Sequence, residues 1–535
     1  MLQDYQEHDH QYQHEYKVFN DSIHGHIEMH PLCVQIIDTP EFQRLRAIRQ
    51  LGGCYWVFPG AANNRFEHSL GVSYLAGQLI RHLQTKQPEL NITEIDILCI
   101  EIAGLCHDLG HGPFSHLFDR LFLRYMNPES TWTHEKGSID MLRHIHNKHE
   151  ELKENFCKFG IEGRNFLFIL ELIAGPLCEL MGESDTFKCH KIDKNQSTRE
   201  SKRIKRSNSI SFNHCVNPLH ENGWKYLGRD KEKSFLYEIV ANHKTGVDVD
   251  KWDYFARDCH HLGIKNSFDH NRLLKFTRVI NDDDGFLTIC FRDKEAKNLY
   301  DMFHTRDTLH RKAYKHRVSN IIELMITEAL ALANDYIFYP GIGGQKLKMT
   351  EAINDMVAYT HLTDFVYYQI LNSDNPNILE AKKILERIEN RKLYKYIGRI
   401  EYHLPIEPTN TLLEKIKLEI ILQCNSEQSS SSKFKLNDIA LQMVEFDYGM
   451  EDENPLENVR FYTKENPNEA KKILKSEVSN MLPENFTERY LTVYSKNVDN
   501  RVNSVISNAF SIWCSDHNNL KLLHLVIFKV RQLQR

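Results

Sequence analysis

The sequence predicts a mainly α-helical protein, a large helical core followed by a smaller α+β lobe. Three observations carry this expectation. Helical spacing of apolar residues dominates from Lys17 onward, helix-start signals stand where the apolar periods begin, and runs rich in β-branched and aromatic residues gather beyond residue 433.

Residues 1–16 are polar and His-rich with no apolar period, and read as a mobile tail. This N-terminus has neither the basic start nor the apolar centre of a signal peptide, and no apolar run reaches membrane-spanning length, so secretion and a membrane partner are not expected. The segment PEFQRLRAIRQL sets Phe42, Leu45 and Ile48 three residues apart, as on a helix face. His68 stands where Asn63–Ser69 opens an amphipathic helix, and Thr93 with Asp96 forms a capping box before an apolar helix that ends near His107.

Residues 184–232 interrupt the pattern with a polar stretch rich in Lys, Arg, Ser and Asn, read as a flexible surface insertion. Its KRIKR at 202–206 fits a nuclear localisation signal or an anion patch, although a solvated charge run is the commoner origin of such a segment. Residues 299–335 return to one long helical pattern. A Ser-rich linker at 426–433 then precedes IALQMVEFDYGM, NVRFYTK and RYLTVYSK, strand-like runs interleaved with a helix-like EAKKILKSEV. The expected division is a tail at 1–16, a catalytic core at 17–337 and a C-terminal lobe at 338–535, helical and then α+β.

Composition bounds the function. With 535 residues, 41% hydrophobic and 26% charged, the chain suits a folded globular protein. Sixty-seven Lys and Arg against 73 Asp and Glu leave a net charge of -6, which excludes a generally cationic nucleic-acid coat and requires any polyanion site to be local. The 12 cysteines form no CxxC pair and read as reduced thiols.

The chemistry concentrates in Cys106-His107-Asp108-Leu109-Gly110-His111-Gly112-Pro113-Phe114-Ser115-His116, with Asp119 three residues on. Adjacent His and Asp at a helix end can both turn towards one cation, while the glycines and the proline stop the helix and re-aim the chain beyond it. Two ligands do not complete a site, and His68 and Asp250 are the candidates to join them. Asp250, Tyr254 and Asp258 recur at i, i+4 and i+8, giving one polar helix face, with Trp252, Phe255 and Ala256 facing elsewhere. Taken singly, each of these residues is more often a surface carboxylate or a hydrogen-bonded core histidine; their order along the chain favours a site.

That order, an RxxHS segment, then HDxGH, then DVDKWDY, resembles the family of SAM and HD domain-containing deoxynucleoside triphosphate triphosphohydrolases. The resemblance runs from KVFNDSIHGHIE at Lys17 to about residue 145, resumes near 233 and continues to about 486, so the core is identified as an HD-domain helical core. The family's SAM module has no counterpart in these residues, and the 184–232 insertion is longer than the family's usual segment.

The resemblance implies roles. His68, His107, Asp108 and Asp250 would ligate a metal, zinc or else iron or manganese, with magnesium accompanying the nucleotide. His111, His116, Asp119 and His134 would surround the scissile bond, with His116 as the expected acid and Asp119 orienting its ring. Arg65, Lys251 and Arg306 would clamp the triphosphate. Gln50, Leu51, Tyr254, Asp258 and Tyr314 would contact sugar and base, and Lys315 replaces the family's usual glutamine there. Arg306 and Tyr314 are expected on the same face of one long helix.

The resemblance also implies regulation by nucleotides between subunits of a homotetramer. A GTP or dGTP activator would meet Lys17, Val18, Asp38, Gln43 and Arg46. A deoxynucleotide activator would meet Asn20, Val57, Phe58, Arg272, Phe276, Arg292, Lys294, Asn298, His316 and Arg317, with Lys472 and Lys475 reaching across from the small lobe. Glu469 stands where the family often has arginine. Residence in the nucleus, also in the cytoplasm, and a role in antiviral innate defence are implied by the family alone. The rival readings are another HD-superfamily nucleotidase or phosphodiesterase, and a single-stranded nucleic-acid binding protein.

Overall fold

The computed structural model describes residues 16–177, 223–402, 410–426, 433–450, 452–478 and 483–517. The tail up to residue 15, KRIKR at 202–206 with most of the insertion, and residues 427–432 of the Ser-rich linker lie outside the described residues.

The chain opens with a hairpin, β1 (Lys17–Asp21) and β2 (Gly25–Met29), paired antiparallel with Asn20 opposite His26. The Phe42, Leu45 and Ile48 side chains are fully buried, yet only Pro40–Gln43 is α-helical and Arg44–Ala47 is a 3-10 turn. A strict three-residue step is the period of a 3-10 helix, which explains the tighter turn.

The long helix α1 (Arg65–Lys86) begins at Asn64 in a capping box with Glu67. It is not amphipathic as expected: Phe66, His68, Leu70, Val72, Leu75, Ala76 and Leu79 place buried side chains all round it. A helix apolar all round is one enclosed by its neighbours. Chief among these are α2 (Glu94–Cys106), capped by Thr93 and Asp96, and α5 (Val249–Leu262), while α3 (His134–Lys148) packs on α4 (Arg164–Ala174), which itself covers α2.

The expected single helix over 299–335 is two. Helix α6 (Ala296–Leu309) passes into a π-turn at His310–Tyr314, and α7 (Arg317–Ala333) starts afresh with the His316 side chain capping Val318 N–H. The wider π-turn re-aims the side chains beyond it. Arg306, His310 and Tyr314 nonetheless all face one cavity.

The three strand-like runs form strands, and a further strand, at Lys395–Tyr402, joins two of them from before the Ser-rich linker. Strands β5 (Lys395–Tyr402), β6 (Ile439–Asp447) and β8 (Thr487–Ser495) make an antiparallel sheet in the order β5-β8-β6. Strand β7 (Arg460–Tyr462) instead runs parallel to β4 (Leu287–Arg292), which pairs antiparallel with β3 (Thr277–Asn281). The EAKKILKSEV run is helical only at Lys475–Val478, because Lys471 is held in a bridge to Phe461.

The main apolar core continues past residue 338, and a second cluster begins with Leu412. Tyr339, Tyr359, Leu385 and Tyr394 belong to the main core, whereas a second cluster joins Leu412, Ile420, Leu441, Leu491, Phe510 and Trp513 from α8 (Asn410–Ser426), β6, β8 and α9 (Asn500–His517). Among the described residues, no helix is long and apolar enough to cross a membrane.

Candidate active site

Three elements bring the predicted ligands together. His68 is in the first turn of α1, His107 caps the end of α2, and Asp250 is in the first turn of α5, whose N-cap Asp248 accepts from Lys251 N–H. Ligand atoms of His68, His107 and Asp250 all lie within 4.8 Å of one another. Asp250 Oδ1 is 3.1 Å from His68 Nε2 and 3.4 Å from His107 Nε2, and Asp108 approaches each of these nitrogens to 3.4 Å.

The neighbours orient both rings. His107 Nδ1 lies 2.7 Å from the Gly104 carbonyl and His68 Nδ1 2.7 Å from Asp253 Oδ2, so each Nδ1–H donates outward and each Nε2 lone pair points inward. Both Nε2 atoms are buried without a hydrogen-bond partner. Two inward lone pairs beside two carboxylates are a donor set that a divalent transition metal fits. Burial alone would lower the His68 pKa, but contacts to Asp250 and Asp253 raise it to about 10: positive charge is favoured between these carboxylates, either as a proton on Nε2 or as a cation that displaces it.

The turn after His107 is held open by close packing. A Cβ on Gly110 would stand 2.1 Å from the His134 carbonyl and 2.2 Å from Ser138 N, so only glycine lets the start of α3 nest against the motif. Phe114 and Ser115 both take left-handed φ, 59° and 57°. Asp364 and Arg49 hold them there: Phe114 N–H donates to Asp364 and the Ser115 hydroxyl to the Arg49 carbonyl.

A cavity of about 550 Å3 opens from this centre. Its wall includes Gln50, Leu51, Arg65, His107, Asp108, His111, His116, His134, Asp250, Tyr254, Asp258, Arg306, Tyr314 and Lys315. His68 lies beneath it, fully buried, and Asp119 behind it. Lys251 is outside the lining, its ammonium 2.9 Å from Asp248, which stands one helical turn away.

The cations of the wall are engaged. Arg65 donates to Asp108 at 2.7 Å and to Ser115 at 2.9 Å, bracing the Asp108 carboxylate. Arg306 meets Asp447 at 2.9 Å, and Lys315 donates to the Glu445 carbonyl. Burial pushes the Lys315 pKa down to about 8. Tyr314 donates to Asp258 at 2.5 Å; burial raises the Asp258 pKa to about 6 despite that bond.

Asp119 sits nearer to His134 than to His116. His134 Nδ1 is 2.8 Å from Asp119, whereas His116 Nδ1 is 3.6 Å away and makes no hydrogen bond. The expected three-residue step from His116 to Asp119 falls in a π-turn, which widens it. Burial would raise Asp119, but the flanking His116 and His134 outweigh it and hold it far below the usual carboxylate range. Burial and then Arg120 push His116 down to about 4.

An HD-domain family model matches residues 65–211. Deoxynucleoside triphosphate triphosphohydrolase SAMHD1 of Homo sapiens is 48% identical over 513 residues, covering 94% of this chain and 74% of that protein. The chain belongs to this family. The SAMHD1 protein of Xenopus laevis is 48% identical over 506 residues, and the SAMHD1 homolog of Dictyostelium discoideum is 32% identical across 94% of this chain and 81% of its own length. The HD-domain match takes in His68, His107 and Asp108 of the donor set, and Asp250 joins them from α5, beyond the matched residues.

The residues expected to bind activators fall into separate groups on one chain. Lys17 reaches Asp38 at 3.7 Å, Gln43 bonds Arg46 at 2.8 Å, and Val18 is exposed beside them. Arg272 pairs with Glu295, Lys294 stands 3.5 Å over the Phe276 ring, Asn298 bonds Asp269 and Glu295, and Arg292 pairs with Asp293. Phe58, next to Val57, meets His316, and Arg317 lies over Tyr396. Lys475 bonds the Pro483 carbonyl and Lys472 is exposed.

Several lining or supporting residues escaped the sequence. Glu323, His310, Gln442 and Met443 line the cavity, and Asp253 stands behind His68. Gln442 and Met443 come from β6, far away along the chain, and no local pattern signals that contact. Asp253 was within reach, three residues after Asp250 on the same helix.

Proposed function

We propose that the protein hydrolyses deoxynucleoside 5′-triphosphates to the deoxynucleoside and inorganic triphosphate. One observation carries the reading: the inward nitrogens of His68 and His107, with Asp108 and Asp250, form one end of a cavity whose walls supply cations and a Tyr314–Asp258 pair. A divalent cation held by these four residues, zinc or else iron or manganese, would polarise a phosphoryl oxygen and acidify a water. Magnesium would accompany the triphosphate.

Hydrolysis joins a water oxygen to the α-phosphorus, breaks the bond from phosphorus to the ribose 5′ oxygen, and returns a proton to that oxygen. His134, oriented by Asp119, and His116 stand together to carry the proton, their ring centroids 5.2 Å apart. Burial and Arg120 disfavour a proton on His116, and the negative charge of a bound triphosphate raises its proton affinity. His111 stacks on His134 and keeps it in place. Arg65 holds Asp108, while Arg306 and Lys315 meet phosphate and base. Lys251 adds long-range positive charge. Gln50, Leu51, Tyr254, Asp258 and Tyr314 surround the sugar.

Residues 17–337 serve in this reading as the catalytic unit and 338–535 as the assembly and regulatory lobe. The Lys17, Val18, Asp38, Gln43 and Arg46 group would take GTP or dGTP, and the groups around Phe276 and His316 a deoxynucleotide, once a tetramer juxtaposes them. Nuclear residence and an antiviral role belong to the same proposal.

The test incubates purified protein with each deoxynucleoside triphosphate, with and without GTP, and separates the products by ion exchange. Deoxynucleoside with intact triphosphate is expected. Release of single phosphates would point to another nucleotidase; no turnover with tight oligonucleotide binding would point to a nucleic-acid binding protein. Sedimentation with and without both nucleotides tests the tetramer.

A further inference from the structure

Asp253 is fully buried, and its carboxylate receives donors on both oxygens. His24 Nε2 lies 2.6 Å from Oδ1 and His68 Nδ1 2.7 Å from Oδ2, while Arg257 donates Nη2 to Oδ1 at 2.9 Å and Nε to Oδ2 at 2.8 Å. Four donors fill the four lone-pair positions that a carboxylate offers. One of them comes from the turn that joins β1 and β2, 229 residues away in sequence.

The same turn makes a second hold. Asp21 accepts from Arg257 at 2.9 Å, and its Oδ1 accepts from the backbone N–H of Ile23 and His24, which stiffens the turn that presents the His24 ring. The His24 side chain is 3% exposed and packs against Tyr74 of α1 and His270.

We propose that the tip of the β1–β2 hairpin is a positioning element of the catalytic centre, with His24 holding Asp253 so that Asp253 fixes the ring of His68. The inference rests on His68 being a metal ligand. An imidazole ligand needs its outer N–H held in order to keep its inner lone pair aimed, and the carboxylate that does so needs its own remaining lone pairs filled to stay in place. Without His24, Oδ1 keeps only the Arg257 donor and the hairpin loses one of its two clasps. The carboxylate can then follow Arg257 away from His68.

The experiment compares two residues of similar bulk at this position, of which only one carries a donor. His24→Met fills the space without an N–H, and His24→Gln restores a side-chain N–H. The wild type, both variants and His68→Ala are stripped by chelation and titrated with Co2+, monitored by visible absorption and by metal content after gel filtration. His24→Met is expected to weaken Co2+ retention by about ten- to a hundred-fold. It should lower kcat with little change in KM for the nucleotide, and His24→Gln should recover most of both losses.

Ile27→Val in β2, a fully buried core position of the same hairpin, reports a merely structural defect: its melting temperature should fall with Co2+ retention unchanged. Equal Co2+ retention by His24→Met and wild type, while His68→Ala loses the metal, would overturn the proposal. Retention by His68→Ala would instead overturn the ligand assignment beneath it.

Discussion

His111 and His134 lie face to face, their ring centroids 4.0 Å apart and their planes within 17° of parallel. An imidazole lone pair lies in its own ring plane, so two stacked rings cannot both aim at one cation. The His68 and His107 planes, by contrast, cross at 75° with centroids 5.2 Å apart, and their lone pairs converge. The His111, His116 and His134 cluster has ligand atoms as close together as the first, yet suits proton transfer better.

The expected metal content is therefore one transition-metal ion per chain, measured by elemental analysis after exhaustive dialysis. His107→Ala should lose it. His134→Ala should keep it while kcat falls by about a hundred-fold or more. Two equivalents bound, with one lost in His134→Ala, would contradict the division of labour.

Glu323 is the acid of the cavity with the fewest partners. Its carboxylate accepts from Gly53 N–H at 3.3 Å, and burial pushes its pKa up to about 7. A folded-state value above the unfolded one means that the native protein binds the extra proton between about pH 4.5 and 7, so this group costs stability as pH rises through that window. Glu323→Gln removes the cost. Its melting temperature should exceed that of the wild type at pH 8 and match it near pH 4.5, and an equal offset at both pH values would show that ionisation is not the cause.

The catalytic helices were legible in the sequence because their signals are local. The Thr93–Asp96 cap, the stop after His107 and the i, i+4, i+8 face of α5 each depend on residues within a few turns. Strands β6 and β8 of the small lobe were legible for the same reason, whereas β5, which precedes the Ser-rich linker, was not read as a strand. The contacts that escaped depend on distant parts of the chain. The Arg306–Asp447 contact spans the core and β6, β7 joins the β3–β4 sheet of the core, and His24 reaches Asp253 from the hairpin. The long-helix expectation failed at His310–Tyr314 because helix propensity does not distinguish an α-turn from a π-turn.

Arg306 is held by Asp447 at 2.9 Å, so a triphosphate must compete with a carboxylate for it. Arg306→Ala should raise KM by about ten- to a hundred-fold, the worth of a hydrogen bond to a charged group. Asp447→Asn weakens the competitor and should lower KM while leaving metal content unchanged. A rise in KM for Asp447→Asn would mean that the aspartate instead holds the guanidinium in its productive place.

Gly71 stands one helical turn after His68 on α1, where Asp253 presses against the helix. A Cβ there would come within 1.9 Å of Asp253 Oδ1 and 2.5 Å of Arg257 Nη2. Alanine is the better helix former by about 1 kcal/mol, which by itself would stabilise α1. The clash opposes this, because neither partner can retreat: both are fully buried and bonded to each other. Overpacking of this kind costs about 1–3 kcal/mol, and relief requires Asp253 to leave His68 Nδ1. Gly77 supplies the comparison on the same helix, since its added Cβ would meet the side-chain ends of Glu101 and Arg81, and Arg81 is 44% exposed and able to swing aside. Gly71→Ala should therefore lower both melting temperature and metal retention, whereas Gly77→Ala should leave metal retention intact. Equal metal retention by the two variants would show that Asp253 can move without disturbing His68.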